Sequence, residues 1–522
     1  MKTNRKEMPG KTPNVRSGSG HKPARYALLL LIACGAYATS GTTGPGGRVT
    51  TPLSAAAPAI SDKDITHAVQ TEFGVRPTLS SESFTIATNK GVVQLSGTTD
   101  HILARDRAEE IALAVKGVRG VVNRIQVRAS GRTDAEIQKD VEKAILTDPA
   151  ADAYEVQAKV KGGIVSLTGK VDSWAESQIA TRVVKKVKGV RQVDNQITVL
   201  YKTDRIDGEI AKDIAQKLRY DARVNDGLIK SKVKDGAVTL LGTVGSALEK
   251  TRAHNDAWVA GVKSVRSDDL KVDPNANPNA LRKGKFTRKT DAQVKAAVQD
   301  ALAYDPRVNA FNILASVNRG AVTLTGTVEN LKAWRAAAED AQNVAGVRRV
   351  TNNLVTRAEN AASAALEANV DWALSVDPVV DQYQVKTTVT NGLVTLRGTV
   401  NTYYEKLHAG NVVADLAGVM GVINNLSVND TRSYLFWTDP DPAATAALRK
   451  SDATIKKDIQ RHIWWSPFVD HKAVTVQVRN GKATLNGTVD SPLEENAAIE
   501  NAYEGGAVAV VSNLKIAGDQ ED

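Results

Sequence analysis

Apolar and polar residues alternate with a period of two in a short block, Gly163-Val165-Leu167-Gly169-Val171, that returns along most of the chain. Closely similar blocks run from Gly236 to Val244, Gly320 to Val328 and Gly392 to Val400, with weaker copies from Gly91 to Thr99 and Gly481 to Val489. Strict alternation predicts a strand with one buried face. Three copies open with Asp235-Gly236, Asn391-Gly392 or Asn480-Gly481, a strong short-range signal for a tight hairpin turn. The strand before the turn is legible as Val156-x-Ala158-x-Val160, Val385-x-Thr387-x-Val389 and Val474-x-Val476-x-Val478.

A second block follows each hairpin. It reads Gly117-Val118 to Ile125, with equivalents at Gly189 to Ile197, Gly346 to Leu354 and Gly418 to Leu426, each carrying Val-x-Asn before its last apolar residue. The third copy, Gly261 to Leu270, holds one extra residue, which predicts a bulge. The sixth is degraded, running from Gly506 to Leu514. Between the blocks lie Ala-rich, charged stretches of helical spacing, such as Ala175 to Lys188, and the glycine after them serves as a helix C-cap. Every unit also begins with helical spacing: Ile137/Val141/Ile145, Ile210/Ile214/Leu218, Val294/Val298/Leu302 and Ile455/Ile459/Ile463 fall at i, i+4, i+8. Thr133 to Glu136 forms a capping box at one such start. Asp148-Pro149, Asp305-Pro306, Asp377-Pro378 and Ser466-Pro467 end these helices, because proline disfavours helix in the residue before it.

The order is therefore αββαβ. The fold class is α+β: six tandem small modules, each a three-stranded mixed sheet with two helices. A unit of this size closes its own small core, which predicts beads on a string rather than a solenoid. The second strand glycines, Gly97, Gly169, Gly242, Gly326, Gly398 and Gly487, are spaced by 72, 73, 84, 72 and 89 residues. The two long intervals mark linkers. The expected layout is a signal peptide over 1–33, a flexible tether over 34–60, then modules at 61–129, 133–200 and 205–272. A basic linker at 273–289 precedes modules at 290–356 and 360–429, and a second linker at 430–450 precedes the last module at 451–517.

Charge changes the picture once it is located. The chain carries +10 overall. Residues 1–33 hold seven basic side chains against one acidic, and the stretch from Lys271 to Lys289 holds six against Asp273. The modules are close to neutral, so a nucleic-acid partner is not expected. The basic start runs into the apolar Tyr26 to Ala33, far short of a membrane span, as in an export signal. Two cleavage readings stand open. Leu31-Ile32-Ala33-Cys34 resembles a bacterial lipobox, making Cys34 a lipidation site; the residue after it is Gly35 rather than Asp, which in a diderm lipoprotein resembles outer-membrane rather than inner-membrane sorting. Ala36-Tyr37-Ala38 resembles an ordinary signal-peptidase site, which would release a soluble periplasmic protein.

The G-x-V-x-L-x-G-x-V and G-V-x-x-V-x-N-x-[IL] blocks resemble the BON domain over nearly all of residues 61–517. The resemblance implies a non-enzymatic envelope protein associated with phospholipid binding, envelope integrity and osmotic stress protection. An anionic phospholipid membrane surface is the partner it suggests. The alternative is a structural adaptor that grips other envelope proteins, such as a secretion channel.

No catalytic residues and no cofactor are expected. The seven histidines show no metal-ligand spacing, no Gly-Lys-Ser/Thr follows the glycines, and Cys34 is the single cysteine. Candidate lipid-binding residues are Arg282, Lys283, Lys285, Arg288 and Lys289 in the basic linker, and the adjacent Trp464 and Trp465. Trp334 and Tyr403-Tyr404 open second helices and read as packed side chains. Because core and turn chemistry repeat, function is to be sought where the copies differ.

Overall fold

The computed structural model describes residues 60–74, 79, 84–151, 155–201, 205–357, 363–380, 384–400, 403–428, 450–507 and 509–517. Cys34, the leader, the tether up to residue 59 and nearly all of 430–450 lie outside them. The α+β class and the αββαβ order are as expected. In the fourth module, the first helix (Asp291–Tyr304) precedes an antiparallel hairpin of Ile313–Asn318 and Ala321–Val328. A second helix (Leu331–Gln342) then delivers Arg349–Thr356 as a parallel strand on the other side of Ala321–Val328. All six sheets place the second strand at the centre. The extra residue of the third copy interrupts its last strand, which pairs as Ser264–Arg266 and again as Leu270–Val272.

Local chemistry explains why the pattern repeats. Val294, Val298 and Leu302 are buried on one face of the first helix, facing Val322 and Leu324 of the central strand. The N1 aspartate of that helix holds the hairpin turn. The Asp291 carboxylate accepts the N–H groups of Arg319 (2.8 Å) and Gly320 (2.9 Å), both in the left-handed region. Asp62, Asp134, Asp207 and Asp452 make the same clamp. These N–H donors hold the Asp134, Asp207 and Asp291 carboxyls below the usual 3.8. Their contribution is complete above that value and is lost as pH falls through the lowered ones.

The recurring asparagine of the third strand has an equally local role. Asn352 Nδ2 donates to the Trp334 carbonyl (2.8 Å) while its Oδ1 accepts from Leu354 N–H (3.2 Å), tying the second helix to the sheet. Asn123, Asn195 and Asn424 repeat this staple. The second strand glycine is required by close approach: at Gly326 (φ 130°) a Cβ would lie 2.0 Å from the Asn312 carbonyl oxygen. Gly326→Ala is therefore expected to cost about 2–4 kcal/mol by forcing the hairpin strands apart. Chemical denaturation measures this loss; an unchanged midpoint would contradict the reading.

Each module owns a separate apolar core, as beads on a string would. On top of that, the modules pack in reverse order, first with sixth, second with fifth, third with fourth. The residue before a second-helix C-terminal glycine donates its N–H to the last helical carbonyl of the opposed module. Lys188 donates to Val376 (2.6 Å) and Ala417 to Thr147 (3.3 Å), a reciprocal contact with two-fold character. Ala345 donates to Tyr220 (2.7 Å) and Lys116 to Trp465 (2.9 Å). Side chains reinforce the pairs: Lys186 with Asp415, Trp372 Nε1 with Asp140 (3.0 Å), and Tyr304 with Asp213 (3.2 Å). Neighbours along the chain also touch, through Lys185–Asp106 (2.7 Å) and the parallel stack of Trp174 on Trp258.

Candidate functional site

The basic segment that reads as a solvated linker is packed against the third module. Asn277 caps a short helix, Pro278–Arg282, and Leu281 is buried. Lys285 is 4% exposed, and its Nζ donates to the Leu218 carbonyl (2.6 Å) with Asp226 at 3.3 Å. As a lipid contact, Lys285 is thus corrected: its charge is spent inside the fold, where burial pushes its pKa down. Arg282 pairs with Asp490 of the sixth module (2.5 Å), and Lys289 Nζ donates to the Lys285 carbonyl. Of the five candidates, Lys283 and Arg288 are exposed.

The two tryptophans separate in role. Trp465 packs against the core of the first module, while Trp464 is 37% exposed, edge-on to Trp465, with Lys116 Nζ 5.2 Å from its ring centre. Trp334 packs on its own core and donates its Nε1–H to Leu354 (3.0 Å). Tyr404 is half-buried and stacks on His408. The structure therefore does not gather the predicted cations and indoles into one patch.

A different surface departs from the repeat. Between the first helix and hairpin of the fourth module, a single 3-10 turn (Ala310–Asn312) leaves the Phe311 side chain fully exposed, at 100%. The edge strand that follows buries Ile313 and Ala315, so alternation turns Leu314 outward, 72% exposed. Val355, on the third strand of the same sheet, is 64% exposed on that same outer face. A groove of about 570 Å³ beside Phe311 is lined by Leu302, Arg307 and Pro149 of the second module. Strand register equates Leu314 with Thr85, Gln157, Lys230, Lys386 and Thr475 in the other modules. Five copies are polar here and one is apolar. Sequence reasoning missed this, although aligning the first strands would have exposed it.

At the junction of the second, third and fourth modules lies a cavity of about 420 Å³ lined by Arg182, Arg223, Arg307, Asp256 and Asp340. Four of its six acids come as matched pairs, Asp221 with Asp256 and Asp305 with Asp340. Burial and the Asp221 charge push Asp256 up to about 8, and burial with Asp305 raises Asp340 well above the usual range. Arg223 (3.1 Å) holds the Asp221 carboxyl below its usual range, and Arg307 pairs with Asp305 (2.5 Å). No helix among the described residues is long and apolar enough to cross a membrane.

Six segments, residues 61–129, 133–201, 206–274, 290–358, 362–430 and 451–518, match the BON domain. They take up well over half of the chain, which belongs to the BON domain family. It is similar to osmotically-inducible protein Y of Escherichia coli, at 26% identity over 29% of this chain and 79% of that protein. It is also similar to the outer membrane lipoprotein DolP of Haemophilus influenzae, at 31% identity over 25% of this chain and 71% of that one. Among solved structures, CdsD, a structural protein of the type III secretion system of Chlamydia trachomatis, aligns at 16% identity. It covers 45% of this chain and 97% of its own with a TM-score of 0.13, a likeness that carries no functional weight.

Proposed function

We propose that this chain is an exported, non-enzymatic envelope protein that binds phospholipid surfaces through the outer face of its fourth module. The observation that carries the reading is the full exposure of Phe311 beside Leu314, the latter at a strand position where the other five copies are polar or charged. An exposed aromatic on a turn and an exposed aliphatic on the strand that follows it suit insertion at the membrane interface. The leader ending near Cys34 and the likeness to a DolP lipoprotein support an envelope location, with lipidation of Cys34 as the finer expectation. Lys283 and Arg288 remain available to anionic headgroups. Because the modules are engaged with one another, the lipid contact is assigned to one face rather than to six equivalent weak ones.

Burying Phe311 and Leu314 in the interface contributes roughly 1.5–3 kcal/mol each. Flotation with vesicles containing phosphatidylglycerol should therefore show Phe311→Ala/Leu314→Thr weakened by at least about tenfold, with the fold kept because threonine stands at Thr85 and Thr475. Equal flotation of wild type and variant would overturn the assignment. A wild-type protein that fails to float, yet is retained by delipidated envelope extract, would favour the protein-adaptor reading.

A further inference from the structure

The contact between the two ends of the array encloses a group of side chains that the lipid-binding reading does not use. His462, on the first helix of the sixth module (Asp452–Trp465), is 2% exposed and points into the boundary with the first module. Neither ring nitrogen has a hydrogen-bond partner, although Glu72 Oε1 lies 2.7 Å from Nδ1, outside hydrogen-bond alignment. A buried imidazole lacking hydrogen bonds at both nitrogens is costly unless something else meets it. Glu504, at the end of the second helix of the sixth module (Pro492–Glu504), completes a set whose ligand atoms all lie within 4.8 Å of one another.

We propose that Glu72, His462 and Glu504 form a binding site for a divalent transition-metal ion, with Zn²⁺ the best match, that clasps the first module to the sixth. One imidazole nitrogen and two carboxylate oxygens are a borderline donor set of the kind zinc accepts, with a further position open to water. Bonds of about 2.0–2.1 Å set ligand atoms a little over 3 Å apart, so small rotations of the three side chains close the set. The surroundings favour a dication. The adjoining cavity of about 220 Å³ is lined by Glu72, Glu110, Glu500 and Glu504 against Arg107 and Arg252, an excess of two negative charges before His462 is counted. Three chain-distant elements meet there, which is why no spacing in the sequence reveals the site. The ion would bind the paired arrangement and not the separated modules, so binding and pairing strengthen one another.

The test uses the untagged full chain after chelator treatment, with Zn²⁺ as titrant and Co²⁺ as a spectroscopic probe. One Zn²⁺ per chain is expected with a dissociation constant in the micromolar range or tighter, together with a visible Co²⁺ absorption band. His462→Gln and Glu504→Gln should each weaken Zn²⁺ binding by at least about tenfold. Glu504 is half-buried at a helix end, so its variant guards against loss through misfolding, and circular dichroism checks both proteins. Zn²⁺ should also slow amide exchange at Lys116 in wild type and not in the variants. Absence of stoichiometric Zn²⁺ binding, or binding of equal strength in His462→Gln, would overturn the site. A preference for Mg²⁺ or Ca²⁺ independent of His462 would overturn it equally.

Discussion

Asp256→Asn is expected to stabilise the protein at neutral and alkaline pH, on the order of 2–4 kcal/mol, and to flatten its pH dependence. Asp256 ends the second helix of the third module, is buried, and sits beside an Asp221 carboxylate that Arg223 keeps ionised. A second negative charge there is opposed by desolvation and by Asp221, so the folded protein keeps a proton on Asp256 up to about pH 8. The unfolded chain releases it near 3.8. Between those values the folded state binds more protons than the unfolded one, so wild-type stability falls as pH rises across the window and levels off above it. Asparagine keeps the shape and removes the charge. Urea unfolding at pH 5 and pH 9 should show wild type losing midpoint at the higher pH by more than the variant does. Parallel curves for the two proteins would show that Asp256 is not proton-bearing. Asp340→Asn, the equivalent acid of the fourth module, should act in the same direction.

Trp465→Ala should have the largest effect on how the modules hold together. The indole packs against the core of the first module, and the Trp465 carbonyl accepts the Lys116 N–H. Removing a half-buried indole of this kind costs up to about 3 kcal/mol, here shared between two modules. The first and sixth modules should then melt as a separate, earlier transition in calorimetry, and Lys116 should lose amide protection. Because each module has its own core, its strands and helices should survive the loss of the contact. A single unshifted transition would contradict the pairing of first with sixth.

What could be read from the residues alone follows the range of the interaction concerned. Hairpins were legible because alternation, the Asp/Asn-Gly turns and a period near 72 residues are local signals. The break in the third module's last strand was legible from one extra residue between Gly261 and Leu270. The asparagine of the third strand was visible as a pattern, but its reason, a staple to a helix carbonyl 18 residues earlier, needed geometry. Reverse-order pairing was not legible. It rests on contacts such as Lys186–Asp415 and Trp372–Asp140, which no local pattern foreshadows. Lys285 misled for a related reason: a run of cations reads as solvated unless one knows that the Leu218 carbonyl lies within reach of its stem. Leu314 is legible only when the first strands are set side by side, because a single apolar residue at a polar strand position leaves the local alternation pattern intact.

The central claim, that the outer face of the fourth module is the lipid contact, is tested most directly by placing an environment-sensitive fluorophore there. In a Cys34→Ser background, Phe311→Cys carries the dye, with Gln477→Cys, on the first strand of the sixth module, as the control. On addition of phosphatidylglycerol vesicles, the dye at position 311 should shift to the blue and become accessible to quenchers in the acyl region, while the dye at 477 stays in water. A dye at 311 that reports water throughout, on a protein that is nonetheless vesicle-bound, would contradict the account.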